Sequence, residues 1–150
     1  MISFKQFVME STRSFTAYHN TDKRSVENIV KNGFSVGSKT KRKKLYGQGI
    51  YFSEKPNTRW GSEQLKVLLK PRNPLIDPDG DIEYEDNYLG AAVQQIGIEI
   101  FPDFKMTNSK QRAVAIDEYL ERNNHDLLLT DEYNNTIFVV KDPRIIEILE

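Results

Sequence analysis

Cysteine is absent from this chain of 150 residues, which also lacks long hydrophobic runs and an excess of either charge. Without cysteine there is no disulfide, no thiol nucleophile and no thiolate metal site, a composition that fits a reducing compartment such as the cytoplasm. The 21 basic and 22 acidic residues nearly cancel, so no global field recruits nucleic acid or a membrane. No apolar run approaches the roughly 20 residues that cross a bilayer.

The remaining composition suits a single domain over residues 1–150. A chain of this length buries roughly two thirds of its unfolded surface, and 38% hydrophobic residues suffice for a core. Residues 1–14 are expected to form a flexible or amphipathic N-terminal segment, which is too polar for a signal peptide. This segment is similar to the starts of proteins from tailed phages.

The order of predicted elements indicates an α+β fold. Strands are expected at residues 15–19, 49–53, 65–69, 126–130 and 136–140, with a last short strand or turn at 145–148. Helical periodicity covers residues 87–100 and 109–123, and residues 57–64 read as a short helix or irregular turn.

A further short helix is predicted between the first two strands. Thr21 or Asp22 can accept hydrogen bonds from its first amides, and Gly33 can close it in a left-handed conformation. Its apolar side is expected to consist of Val26, Ile29 and Val30.

Two segments carry the most specific signal, Tyr18-His19-Asn20-Thr21 and Gly47-Gln48-Gly49-Ile50-Tyr51-Phe52-Ser53. Together they resemble the NAD-binding half of the ADP-ribosyltransferases of the diphtheria-toxin and poly(ADP-ribose) polymerase type. Those proteins carry an aromatic-His-Gly-Thr/Ser strand and a Gly-x-Gly-Ile-Tyr-Phe strand. The resemblance implies two small packed β-sheets with short helices around an NAD cleft, and NAD as a co-substrate.

In the first motif, the resemblance implies that His19 hydrogen-bonds the adenine-side ribose of NAD, fixing the bend of the dinucleotide. Asn20 stands where the family has glycine, whose main-chain N–H and C=O grip the nicotinamide carboxamide. Asparagine keeps those groups but adds bulk. Thr21 completes the motif and is expected beside the same ligand.

In the second motif, the resemblance implies that Tyr51 packs against the nicotinamide ring, although a core position between sheet layers is the plainer interpretation. Gly49 allows the backbone to approach the ligand closely, or marks a bulge. Ser53 is a candidate for contact with the carboxamide. Trp60 is a candidate second aromatic on the other side of nicotinamide, with a place in the core as the alternative.

The third catalytic position departs from the family pattern. Active polymerases place a glutamate at the start of a late Glu-(apolar)-Val-Val strand, and Thr136 stands at that position here. The glutamate stabilises positive charge at the anomeric carbon, worth several kcal/mol in comparable sites. Asp131 or Glu132 in the preceding turn is a possible substitute, and solvated turn residues are the alternative reading of both.

The leading hypothesis is therefore a mono-ADP-ribosyltransferase that passes ADP-ribose from NAD to a protein or nucleic-acid acceptor, in a host cytoplasm or a phage particle. The alternative is a catalytically degenerate module that binds NAD or ADP-ribose, or serves a structural role in a virion. A phosphate-transferring RNA-repair enzyme is a weaker third reading, because its arginine-rich set is not evident.

Two other features of the sequence have simpler explanations. The basic residues at 39–44 form either a solvated loop or a lid over the NAD pyrophosphate. Asp77, Asp79 and Asp81 alternate as in a calcium loop, but Gly80 falls early, so a polar turn is expected. No His/Asp/Glu set has metal-ligand spacing, and no metal is predicted.

Overall fold

The structure is a computed structural model that describes residues 14–35, 46–84, 86–132 and 134–149. The N-terminal segment up to residue 13 and the basic loop at 39–44 lie outside the described residues, so the predictions for both stay predictions. Within the described part of the chain, no helix is long and apolar enough to span a bilayer.

The described strands form one sheet of seven strands in the order β4-β5-β6-β2-β1-β3-β7. They are β1 (Phe15–Thr21), β2 (Ile50–Ser53), β3 (Glu63–Leu69), β4 (Pro74–Asp77), β5 (Leu127–Glu132), β6 (Asn135–Val140) and β7 (Ile146–Ile148). Neighbours are antiparallel except β4 and β5, which run parallel. The predicted α+β class is confirmed. The expected pair of small sheets is not found among these strands, because β2 pairs with both β1 and β6 and joins them into one sheet.

Three α-helices accompany the sheet in the described residues: α1 (Lys23–Asn32), α2 (Tyr88–Ile100) and α3 (Ser109–Arg122). The Asp22 carboxylate accepts from Ser25 N–H at the start of α1, and Gly33 follows its end with φ of +81°. Both predicted ends of this helix are confirmed. The prediction that Val30 belongs to the apolar side is wrong, since Val30 is 62% exposed. None of the residues of α1 is completely buried.

The segment at residues 57–64 divides into a turn and a strand. Thr58–Trp60 form one turn of 3-10 helix, capped by the Asn57 side chain, and β3 then begins at Glu63. The predicted strand at 65–69 is therefore correct but starts two residues too late. The first part of β3 is exposed, so hydrophobic alternation does not reveal it.

Each face of the sheet carries its own hydrophobic cluster. One face, called here the histidine face, buries Ala17, Ile50, Phe52, Val67, Leu129, Phe138 and Val140, among others. The opposite face, called the helix face, buries Leu128, Ile137 and Val139 against residues of α2 and α3, including Val93, Ile96, Ile116 and Leu120. Because side chains alternate along a strand, each residue of the two motifs belongs to one of these faces.

Candidate functional site

The junction between β1 and β2 is the least regular part of the sheet. All seven residues of β1 pair with β3, whereas the register of β1 with β2 is limited to the pair Tyr18 and Ser53. Lys66 directs its carbonyl away from β1, where it accepts from the N–H of Leu149, the residue after β7. Since main-chain groups alternate in direction, the even-numbered residues of β1 point towards β2.

Asn20 is therefore the next residue of β1 whose N–H and C=O point towards β2. Its expected partner across the junction is Tyr51, but the described register does not extend to that pair. Tyr51 directs its carbonyl towards β1, because the N–H of Glu54, three residues on, donates to Thr136 on the other side of β2 at 2.8 Å. The two strands thus separate beside Asn20, and we call this opening the junction gap.

The imidazole of His19 bridges the junction gap. Its Nδ1 lies 2.9 Å from the carbonyl oxygen of Tyr51. A carbonyl oxygen only accepts, so Nδ1 carries a proton and donates. A side chain of β1 therefore makes a hydrogen bond that the main chain would make in a regular ladder.

The ring of His19 lies on the histidine face. Its centroid is 5.3 Å from that of Phe34, edge-on, and 5.3 Å from that of Phe52. Phe52 is fully buried, whereas His19 is half-buried. These aromatic contacts and the bond to Tyr51 together fix the orientation of the imidazole.

Asn20 is 3% exposed and fastens the turn after β2 to β1. Its Oδ1 accepts from the N–H of Asn57 at 2.9 Å, and its Nδ2 donates to the carbonyl of Gly61 at 3.3 Å. Gly61 lies so close to β1 that a Cβ there would be 2.4 Å from the main chain of Thr21. The added bulk of asparagine, relative to the family's glycine, is thus accommodated by hydrogen bonds to a neighbouring turn.

Tyr51 projects from β2 on the helix face, opposite to His19. Its hydroxyl accepts from the N–H of Tyr46 at 2.9 Å and donates to the carbonyl of Gly47 at 2.8 Å. Its ring stacks on that of Tyr46 with centroids 6.3 Å apart. The resemblance implies that His19 and Tyr51 serve one NAD cleft, whereas here the two rings lie on opposite faces of the sheet, because His19 shares a face with Phe52 and Tyr51 takes the other.

The other candidate residues in and after the second motif each have a different environment. Trp60 is half-buried and packs, as Tyr51 does, against the cluster of the helix face. Ser53 is fully buried and donates from Oγ to the carbonyl of Lys55 at 2.6 Å. Gly49 lies against β6, where a Cβ would be 2.8 Å from Cγ1 of Val139. The close approach that Gly49 permits is thus to the neighbouring strand.

Thr136 is half-buried and lies near the start of β6. Asp131 is its register partner on β5, and Glu54, the residue after β2, faces it through the 2.8 Å main-chain hydrogen bond. Glu132 pairs with Asn135, one step further from Thr136. Sequence reasoning considers Asp131 and Glu132 but misses Glu54, because only the pairing of β2 with β6 places Glu54 beside Thr136.

The aspartate run after β4 forms a turn. The carboxylate of Asp77, which is 2% exposed, accepts from the N–H groups of Asp81 and Ile82, each at 3.0 Å. Burial raises the pKa of Asp77, and the bonds from Ile82 and Asp81 oppose that rise. Among the described residues, no group of three or more His, Asp or Glu is arranged to hold a metal ion.

Comparison with known proteins adds a distant structural likeness. No protein-family model matches the chain, and no curated protein matches it. A solved structure described as the crystal structure of an anti-CRISPR protein is 12% identical and gives a TM-score of 0.46, covering 92% of this chain and 97% of that one. A likeness at this level carries no argument about the fold or function of this chain.

Proposed function

We propose that this protein binds NAD at the junction gap and acts as a mono-ADP-ribosyltransferase. The observation that supports the proposal is that the described register of β1 with β2 stops before Asn20, whose main-chain N–H and C=O point towards β2. A carboxamide has one acceptor and one donor group and matches such a pair. The resembling ADP-ribosyltransferases hold nicotinamide through the same main-chain position.

Two aromatic side chains on the helix face support the nicotinamide half of this proposal. Tyr51 and Trp60 both pack at the cluster of that face and both remain half-buried. Aromatic rings stack on a flat heterocycle with a gain of about 0.5–1.5 kcal/mol beyond the area that they bury. The nicotinamide ring would contact these rings while its carboxamide reaches Asn20.

His19 supports the ribose half. The bond from Nδ1 to the Tyr51 carbonyl and the ring contacts with Phe34 and Phe52 fix the orientation of the imidazole, which suits a residue that positions a ribose. His19 and Tyr51 lie on opposite faces of the sheet, so the dinucleotide would have to pass between β1 and β2 at the junction gap to reach both. Nicotinamide would leave by a dissociative route, and a protein or nucleic-acid group would capture the ribosyl cation.

A second candidate function is binding of NAD or ADP-ribose without turnover. Thr136, in place of the family's glutamate, favours this candidate, since a hydroxyl cannot supply the negative charge that stabilises the cation. The side chain of Asn20, which occupies space beside the gap through its bonds to Asn57 and Gly61, favours it as well.

The test compares His19→Ala with His125→Ala. The two histidines are a matched pair, because His125 also bonds a main-chain carbonyl through Nδ1, that of Asn73 at 3.0 Å. Purified proteins are incubated with NAD labelled in the adenylate, with and without cell lysate, and nicotinamide release, label transfer and the shift of the melting temperature with NAD are measured.

If the protein is a transferase, the wild type and His125→Ala are expected to release nicotinamide at similar rates. His19→Ala is expected to release it at least about 10-fold more slowly. A melting temperature that rises with NAD in the absence of nicotinamide release would favour the binding module. Absence of both responses in the folded wild type would overturn both functions.

A further inference from the structure

The two faces of the sheet differ in what packs against them. The cluster of the helix face contains residues of α2 and α3 as well as strand residues. The cluster of the histidine face contains strand residues and Ile145 from the turn Pro143–Ile145, with Phe34 packed against it, and no residue of a described helix. α1 packs mainly against β3 and has no completely buried residue. The described helices therefore form a layer over one face only.

The part of the histidine face that β4, β5 and β6 form is nevertheless buried. Its five side chains are each exposed by 3% or less: Ile76, Leu127, Leu129, Phe138 and Val140. α1 cannot account for this burial, because β3 lies beyond β1 from these three strands. An apolar sheet face is buried only when another element packs on it.

The opposite face of β1 and β3 shows how an uncovered stretch of this sheet behaves. Thr16 and Leu68 are register partners and alternate with residues of the histidine face, so they lie on the helix face. Neither β1 nor β3 contributes to the cluster of that face. Thr16 is exposed and Leu68 is half-buried. The complete burial on β4, β5 and β6 thus indicates a covering segment outside the described residues.

Two segments longer than one residue lie outside the described part of the chain, 1–13 and 36–45. The second carries five basic residues at 39–44, and burying such charges without partners is costly. It also leads into Tyr46, which is buried in the cluster of the helix face. Residues 36–45 are therefore a poor match for the uncovered part of the histidine face.

Residues 1–13 match it in composition and in position. Phe4, Phe7 and Val8 have the spacing of one apolar side. The segment leads directly into β1, where Phe15 packs against the cluster of the histidine face and its ring lies 5.4 Å from that of Phe138. The chain thus enters β1 beside the surface that needs a cover.

The length of the segment is sufficient as well. β4 is four strands away from β1, which corresponds to about 19 Å at the usual strand spacing. Thirteen residues span about 20 Å as a helix and about 43 Å as an extended chain. Either conformation reaches from β1 across β6 and β5 to β4.

We propose that residues 1–13 dock on the histidine face and bury its β4, β5 and β6 side chains, with Phe4, Phe7 and Val8 as the contact residues. The N-terminal segment is then a layer of the fold that matches α2 and α3 on the other face. This inference does not depend on the transferase function.

The experiment uses the absence of cysteine from the chain, which allows a single thiol to be placed at a chosen position. Val140→Cys reports on the histidine face and Val139→Cys on the helix face, and both valines are 0% exposed. The rate at which each thiol reacts with a thiol-reactive probe is measured in the full chain, with and without Phe7→Asp. Gln6→Asp is the matched control, because it adds the same charge one residue away.

Phe7→Asp is expected to raise the reaction rate of Val140→Cys at least about 10-fold and to leave that of Val139→Cys within about twofold, whereas Gln6→Asp leaves both unchanged. A synthetic peptide of residues 1–13, added to the Phe7→Asp protein, is expected to restore the protection at position 140. Protection that survives Phe7→Asp, or that the peptide fails to restore, would overturn the proposal. Protection that falls on dilution of the wild-type background would assign the cover to a second copy of the chain and overturn it as well.

Discussion

The β5–β6 pair and the β1–β2 pair lie in the same sheet but are joined in different ways. β5 and β6 share six register pairs, from Leu127 with Val140 to Glu132 with Asn135. β1 and β2 share one in the described chain, and the side chains of His19 and Asn20 supply further hydrogen bonds at the junction. At this junction, side-chain hydrogen bonds supplement a short main-chain pairing. The proposed binding region lies at the shorter of the two pairings.

The largest effect is expected in the fully paired region. Phe138 on β6 is 2% exposed and its ring lies 5.4 Å from that of Phe15. Phe138→Ala is expected to lower the free energy of unfolding by about 3–5 kcal/mol, since it leaves a cavity in the core. Urea denaturation followed by circular dichroism measures this.

Val114→Ala is the matched control for that truncation, because Val114 is 46% exposed on α3. A surface change of this kind is expected to stay within about 0.5 kcal/mol. Equal effects of the two substitutions would contradict the burial of Phe138 and the close packing of the β5–β6 region.

A smaller effect is expected at the junction gap. Asn20→Ala leaves the N–H of Asn57 and the carbonyl of Gly61 without their bonds to Asn20, which is expected to cost about 1–3 kcal/mol of unfolding free energy. Asn32→Ala removes an exposed bond to Asn28 and is the control, with an expected cost below about 0.5 kcal/mol. If Asn20→Ala proves as mild as Asn32→Ala in urea, side chains do not hold the junction.

The smallest effect concerns pH and Asp77, at the end of β4. Burial raises its pKa from 3.8 in the folded protein. The folded state therefore favours the protonated carboxyl, so the contribution of Asp77 to stability is fully present below its unfolded pKa and is lost as the pH rises through the raised pKa.

The unfolding free energy of the wild type minus that of Asp77→Asn is thus expected to fall as the pH rises from about 3 to 7. Urea titrations at several pH values measure this difference. Glu121→Gln removes an exposed carboxylate on α3, outside that turn, and is the control. A difference that rises with pH would show that the two N–H bonds of Asp77 outweigh its burial.

Much of the fold follows from local rules that the sequence displays. Asp22 and Gly33 mark the ends of α1 because capping depends on neighbouring residues alone. The strand ending at Leu69 and the helix beginning after Asn108 are recognised from periodicity and cap chemistry. Local signals therefore give most elements and the α+β class.

The site depends on long-range pairing, which the sequence does not display. Whether His19 and Tyr51 lie on the same face of the sheet depends on the register of β1 with β2. A shift of that register by one residue would change the answer. Glu54 and Thr136 meet only because β2 pairs with β6 across 82 residues of chain, the separation of positions 54 and 136. The spacing of the motifs along the chain predicts neither of these arrangements.

β1 and β2 are joined by one described register pair, Tyr18 with Ser53. This short pairing divides the sheet into two units of strands. On one side are β1, β3 and β7, and on the other are β2, β6, β5 and β4. Shear between these units disturbs one ladder pair and a few side-chain bonds, whereas shear between β5 and β6 disturbs six pairs. We expect the lowest-energy opening of the sheet to run along this junction, and a ligand bound there would hold the two units together.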